Sequence, residues 1–139
     1  MKSPTLDKKS DSFTLPTEPE GFMPSLVERF NSGKLSAMME LYAPEAVFIA
    51  NDGRTMTDHA EIAARLERDL KFGLPLVANV RHIFVADDTA QIVVDWSIDG
   101  TGPDGNQVHL AGSACDIVRR GADGRWRYLI DNNQGTAVR

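Results

Sequence analysis

Cysteine is almost missing from this chain: Cys115 is the single one in 139 residues. That excludes an internal disulfide framework and fits a reducing compartment. Clustered positive charge is missing too. Lys and Arg total 15 against 20 Asp and Glu, a net charge of −5, and the basic pairs Lys8-Lys9 and Arg119-Arg120 belong to no longer patch. Phosphate binding needs such patches, so no nucleic-acid partner is expected. No apolar run approaches the roughly 20 residues that span a bilayer, and the opening MKSPTLDKKSDSFTLPTEPEG lacks the apolar core of a secretory signal. The expectation is a cytoplasmic protein that does not associate with membranes.

Metal-ligand spacing is also absent. His59, His82 and His109 fall in no His-x-x-x-His pattern, and Cys115 has no second cysteine to join it. His109 and Cys115 share a strand face but lie roughly 20 Å apart along it, too far for a nucleophile and its base. The run Gly100-Thr101-Gly102-Pro103-Asp104-Gly105 has the letter spacing of a dinucleotide fingerprint. It precedes a strand rather than a helix, however, so no helix N-terminus is there to hold a pyrophosphate. It reads as a hairpin loop, and no metal or redox cofactor is expected.

What is present is an ordinary globular composition, 42% hydrophobic and 25% charged, of one domain's length. Residues 1–22 are polar and aperiodic and read as an N-terminal tail, whose apolar runs Phe13-Thr14-Leu15 and Phe22-Met23 could dock on the domain or on a partner. The domain takes up residues 23–139. Pro24 suits a first helical turn, Leu26, Val27 and Phe30 form a stripe, and Asn31-Ser32-Gly33 ends it. A short second helix is expected over Ser36–Tyr42, stopped by Pro44, and then a strand Ala46–Ile49. Asp58 with Glu61 opens a third helix, with Ile62, Leu66 and Leu70 on one face and Glu61/Arg65 and Glu67/Lys71 spaced to pair outside. From there the period changes from 3.6 to 2, and residues 76–86, 90–99, 107–119 and 125–132 read as strands.

Three helices followed by an antiparallel meander is an α+β pattern in which the helices cover one sheet face. The other face is not polar either: Val93 alternates opposite Ile92, Val94, Trp96 and Ile98, and Cys115 and Ile117 alternate opposite Ala114 and Val118. A second copy of the chain is the simplest cover, so a homodimer through the sheet face is expected.

The stretch Leu26-Val27-Glu28-Arg29-Phe30-Asn31-Ser32-Gly33-Lys34-Leu35, then Met39-Glu40-Leu41-Tyr42-Ala43-Pro44-Glu45-Ala46-Val47-Phe48, resembles the opening of SnoaL-like and ketosteroid-isomerase-like proteins of the nuclear transport factor 2-like superfamily. The closing Gly124-Arg125-Trp126-Arg127-Tyr128-Leu129-Ile130-Asp131-Asn132 is similar to their final strand. The resemblance covers about residues 24–135. It implies three N-terminal helices on a strongly curved, mainly antiparallel sheet, a cone-shaped cystatin-like roll with an interior pocket. It also implies that the isomerase base position is Ala50, that the oxyanion-binding tyrosine position is Leu26, and that the late-strand carboxylic acid is Asp116. With base and tyrosine both replaced, steroid isomerisation by that mechanism is not expected.

Three residues are candidates for chemistry. Asp116 sits in the apolar strand Ser113-Ala114-Cys115-Asp116-Ile117-Val118, where desolvation would raise its pKa; the alternative is an ion pair with Arg81. Asp131 follows Leu129-Ile130 and would share proton donor and acceptor roles with Asp116 if one pocket holds both; the alternative is a cap on the turn before Gly135. Alternation puts His82 on the face of Val80 and Phe84, as a general base or as a satisfied core histidine. Asp95, between Val94 and Trp96, is expected to line the pocket beside them, while Asn51-Asp52-Gly53 reads as a turn. Tyr42, Phe48, Trp96 and Trp126 are the expected apolar lining. A mainly apolar pocket with a few acids suits a small, moderately hydrophobic molecule. Either acid–base catalysis (isomerase, lyase or hydrolase), a non-catalytic binding or dimerisation module, or an accessory domain fits these residues.

Overall fold

The first helix, α1, spans Phe22–Ser32, starting two residues before Pro24. In the computed structural model, which describes residues 13–138, a 3₁₀ turn at Pro19–Gly21 feeds directly into it. Pro24 therefore falls inside the first turn, where its missing N–H leaves no bond unmade. Phe22, Met23, Leu26 and Phe30 face inward. Gly33, at φ 76°, donates to the Phe30 carbonyl at 3.0 Å and ends the helix in the left-handed conformation that glycine adopts without strain.

The apolar runs Phe13-Thr14-Leu15 and Phe22-Met23 pack on the domain, the second as the first residues of α1. Phe22 is fully buried, the Trp126 N–H donates to the Pro16 carbonyl at 2.9 Å, and Arg125 donates to the Leu15 carbonyl at 2.7 Å. Packing thus reaches back at least to Phe13 instead of starting at residue 23. Of the expected tail over residues 1–22, residues 1–12 lie outside the described residues.

The second helix, α2, is Leu35–Met39, shorter than expected, because Tyr42 opens a strand instead of closing a helix. That strand, β1, runs Tyr42–Ile49 and contains Pro44. Pro44 is tolerated because the register is broken between Tyr42 and Val47, where no ladder N–H is required of it. Asn51-Asp52-Gly53 turns the chain, with Gly53 at φ 91°. The turn leads into the two-residue strand β2, Thr55–Met56, which is too short to show alternation in the sequence.

Helix α3, His59–Leu70, is capped by the Asp58 side chain, which accepts the Ala60 N–H. Its expected Glu61–Arg65 pair does not form. Glu61 takes Arg54 at 3.1 Å, and Arg65 turns toward Asp69 at 3.6 Å, with its guanidinium 5.5 Å from the Phe48 ring centroid.

The four later strands lie where the period-2 pattern puts them: β3 Leu76–Ala86, β4 Thr89–Thr101, β5 Gln107–Arg120 and β6 Trp126–Asp131. They form an antiparallel meander extended by β1, which lies parallel to β6, giving the order β2-β1-β6-β5-β4-β3. Gly102 to Asn106 closes the β4–β5 hairpin, as expected of that glycine-rich loop. Register shifts at Val80/His82 and at Ile117/Val118 bend the sheet, since each bulge adds a residue to one strand only. Three helices on a curved, open, mostly antiparallel sheet are the architecture implied by the resemblance.

The core joins the inner sheet face (Ile92, Val94, Ile98, Ala114, Val118, Tyr128) to the inner faces of the helices. A cation is buried there. Arg29 is wholly inaccessible and donates to the Ala37 carbonyl at 2.6 Å and to Glu40 at 2.7 Å. The Phe13 ring lies 5.2 Å from its guanidinium. Among the described residues no helix is long and apolar enough to cross a membrane.

Candidate active site

Between the helices and the inner sheet face lies a cavity of about 80 Å³, room for several waters or one compact organic molecule. Met23, Leu26 and Phe30 of α1, Met38 of α2, and Leu66 of α3 supply its apolar wall, and Val94, Trp96, Ile98 and Ala114 supply the sheet side. Tyr42, Asp69, Asp116, Tyr128, Asp131 and Asn133 are its polar atoms' source.

Asp116 and Asp131 meet here because of strand register. Ile117 pairs with Ile130 across β5 and β6, and the Cys115 N–H donates to the Asn132 carbonyl at 3.0 Å. Asp116 and Asp131 therefore lie opposite each other between those two pairs. Both are buried, 2% and 6% exposed. A sheet ordinarily avoids like charges placed directly across from each other, so this pair is costly unless protons are shared.

Their surroundings divide the protons unequally. Burial, reinforced by the charge of Asp131, pushes the Asp116 carboxyl well above the usual range, opposed by the Asn132 N–H that donates to its Oδ1 at 2.8 Å. Burial also raises Asp131, to about 6, but the Tyr42 hydroxyl donates to its Oδ2 and Arg65 adds a favourable field. Asp116 is thus the proton holder and Asp131 the first to ionise. Burial and these acids push the Tyr42 and Tyr128 phenols up as well, so both stay neutral. Asp69 is raised by partial burial, with Arg65 and Arg68 pulling the other way.

The rim is formed by the half-buried lining residues Ala78, Trp96, Asp69 and Asn133. Asn133 belongs to a C-terminal segment that follows β6 and covers the part of β5 that β6 leaves unpaired. Its carbonyl accepts the Trp96 indole N–H at 2.8 Å, and Gln134 donates to the Ala111 carbonyl at 2.9 Å. Gly112 and Gly135 permit this approach: a Cβ on Gly112 would lie 2.7 Å from the Asn133 carbonyl oxygen, and one on Gly135 2.6 Å from the Cys115 nitrogen.

Of the expected site residues, Asp116, Asp131, Tyr42, Phe48 and Trp96 come together at the cavity. His82 does not. The bulge between Val80 and His82 reverses the alternation, so Val80 pairs with inward Val94 while His82 pairs with outward Val93. His82 is exposed and stacks on Phe84 at 5.4 Å. Asp95 also faces away from the cavity, where it takes Arg81 at 3.1 Å and the Ser113 hydroxyl at 2.6 Å; the alternative Arg81–Asp116 pair is therefore not made. Trp126 is buried but lies outside the cavity, 5.9 Å from the Arg120 guanidinium. Asp69, Tyr128 and Asn133 were not singled out from the sequence. Asp69 follows Leu66 by three positions, on the inward face of α3, and that spacing was the available signal.

Leu26, at the position matched to the isomerase tyrosine, lines the cavity, whereas Ala50, at the position matched to the base, packs half-buried beside the core. Neither supplies a polar group, so the acids present are those of β5, β6 and α3. Among the described residues no group of three or more His, Cys, Asp or Glu could hold a metal ion.

Comparison with solved structures shows the same fold at low identity. A conserved protein from Planctomyces limnophilus superposes with TM-score 0.70 at 22% identity, over 78% of this chain and 86% of that one. A nuclear transport factor 2-like superfamily protein from Salmonella enterica serovar Typhimurium gives 0.68 at 17%, over 98% and 95%. A ketosteroid isomerase-like protein from Erwinia carotovora atroseptica gives 0.67 at 15%, over 78% and 86%. No functionally curated protein matches. The SnoaL-like domain profile matches residues 25–129, from α1 through the core of β6, and the chain belongs to the SnoaL-like domain family.

Proposed function

We propose that this cavity is a proton-transfer site for a small, moderately hydrophobic organic molecule, working as an isomerase, lyase or hydrolase without metal or redox cofactor. The observation that carries it is the cross-strand carboxyl pair, buried in one cavity, with the Tyr42 hydroxyl on Asp131 and the Asn132 N–H on Asp116. Asp131, held ionised by the Tyr42 hydroxyl, is the base; Asp116, kept protonated by burial and by its neighbour's charge, is the acid. The apolar wall from α1 and α2 orients the ligand and excludes water. His82, on the far side of the sheet, has no part in it.

A solvent-exchange assay tests this. Small carbonyl compounds that bind the full chain are incubated in deuterium oxide, and NMR follows deuterium entering carbons next to the carbonyl. Exchange is expected to rise through about pH 6 and to fall roughly 100-fold or more in Asp131→Asn, as loss of a general base does. Compounds that bind without any exchange would overturn the catalytic reading. They would favour a binding module instead, a reading supported by the apolar Leu26 and Ala50 at the two positions where the isomerases carry polar groups.

The outward sheet face supports pairing with a second copy of the chain. Val77 and Phe84 are 52% and 59% exposed there, and Phe84 shares its end of that face with half-buried Val93, Cys115 and Ile117. An apolar patch that continues over three strands is the kind of surface that two identical sheets cover for each other.

A further inference from the structure

We infer that the ligand of this cavity is cationic: a compact primary or secondary amine whose ammonium group sits between Asp116 and Asp131, with its apolar body against the α1 wall. The inference rests on reading the cavity as a ligand site and adds the charge of what enters. Among the described residues lining it, three are acids and none is Lys, Arg or His. Once Asp116 gives up its proton, the free carboxyl atoms at the cavity's polar end are acceptors, beside the neutral Tyr128 hydroxyl. Asp116 engages a partner through Oδ1 only and Asp131 through Oδ2 only, which leaves one oxygen of each carboxyl open. The Asn133 side-chain oxygen is buried with no partner. That third acceptor is not an acid, and it points to a ligand rich in donors.

Geometry fits the entry of a cation as well. Asp69 stands at the half-buried rim, so an ammonium group passes one acid before reaching two more in a low-dielectric interior, where the field is strongest. An anion meets the reverse on the same path. Arg65, whose field reaches Asp131, is turned to Asp69 and stacked over Phe48, so it makes no ion pair with the deeper carboxyls. Loss of one shared proton on binding then balances the charge: the ammonium replaces it, and the proton leaves to solvent. The groups facing the pair are Tyr42 of β1, Tyr128 of β6, and Arg65 and Asp69 of α3. Both phenols stay neutral, so the pair itself sets the pH response.

Isothermal titration of the full chain at pH 7.5 with cyclopentylamine, cyclopentanol and cyclopentanecarboxylate tests the inference, since the three are similar in size and differ in charge. The amine is expected to bind at least tenfold tighter than the alcohol, with proton release visible as a buffer-dependent heat, and the carboxylate is expected not to bind. Asp131→Asn and Asp116→Asn should each bring the amine down to the alcohol's affinity. Ala114→Leu, which fills part of the cavity and keeps both carboxyls, should weaken both ligands. Equal affinity for amine and alcohol overturns the cation preference and leaves the cavity reading standing. Amine binding that survives both Asn variants overturns it as surface attraction. Binding of none of the three, with Ala114→Leu as stable as the parent, overturns the cavity reading too.

Discussion

Asp131 carries a cost that can be read out by pH. Its carboxyl titrates at about 6 in the folded chain and near 3.9 when unfolded. Between those values the folded state holds more protons, so stability is full below the unfolded value and falls as pH rises through the folded one. The loss is about 3 kcal/mol by neutral pH. Asp131→Asn should therefore unfold later than the parent at pH 8, by up to that amount, and show no gain at pH 3.5; paired urea titrations at the two pH values measure it. A gain of equal size at both would mean that packing, not ionisation, is responsible. Residues that weaken a fold only in the ionised state needed for reaction are characteristic of working sites.

At the level of the element, the C-terminal segment after β6 is where small changes should have the largest reach. Gly112→Ala sets a methyl group 2.7 Å from the Asn133 carbonyl oxygen, and a backbone atom cannot swing aside as a side-chain end can. The expected cost is about 1–3 kcal/mol, with a red-shifted tryptophan emission as the Trp96 indole loses the Asn133 carbonyl. Chemical denaturation followed by fluorescence checks both; an unchanged midpoint and spectrum would show that the segment is not held as described. Elements also show what the sequence discloses. The strands of the meander follow from alternation, clearest in β4 and β5, where buried residues recur at every second position. The bulge at Val80/His82 does not follow, since one extra residue leaves no compositional mark, and it moved His82 from the inner face to the outer. Tyr42 reads as helix because Leu41 and Met38 precede it at helical spacing, and pairing with β6 overrode that local pattern. Asp116 and Asp131 stood out as acids in apolar strands, but their meeting depends on a register that includes the Ile117/Val118 shift, which no local signal gives.

For the whole molecule the question is how many chains share the outer sheet face. A dimer of about twice the 15.3 kDa chain mass is expected by light scattering at micromolar concentration, and Phe84→Asp should return it to a monomer, because a buried unpaired carboxylate is costly at an interface. A monomer mass for the parent chain would rule the pairing out. The cavity lies on the opposite face, under the helices, so Phe84→Asp should leave ligand affinity within about twofold, as expected for sites without shared partners.

The backbone of Asn132 donates to Asp116, and six residues later Val138 is already 99% exposed. Anything tethered beyond that point, an affinity tag, a reporter or a surface linker, pulls on the same short stretch that steadies the acid and shapes the rim. A purification handle at that end would therefore act as a perturbation of the site, and assays meant to report native behaviour are better run with the handle at the other end of the chain.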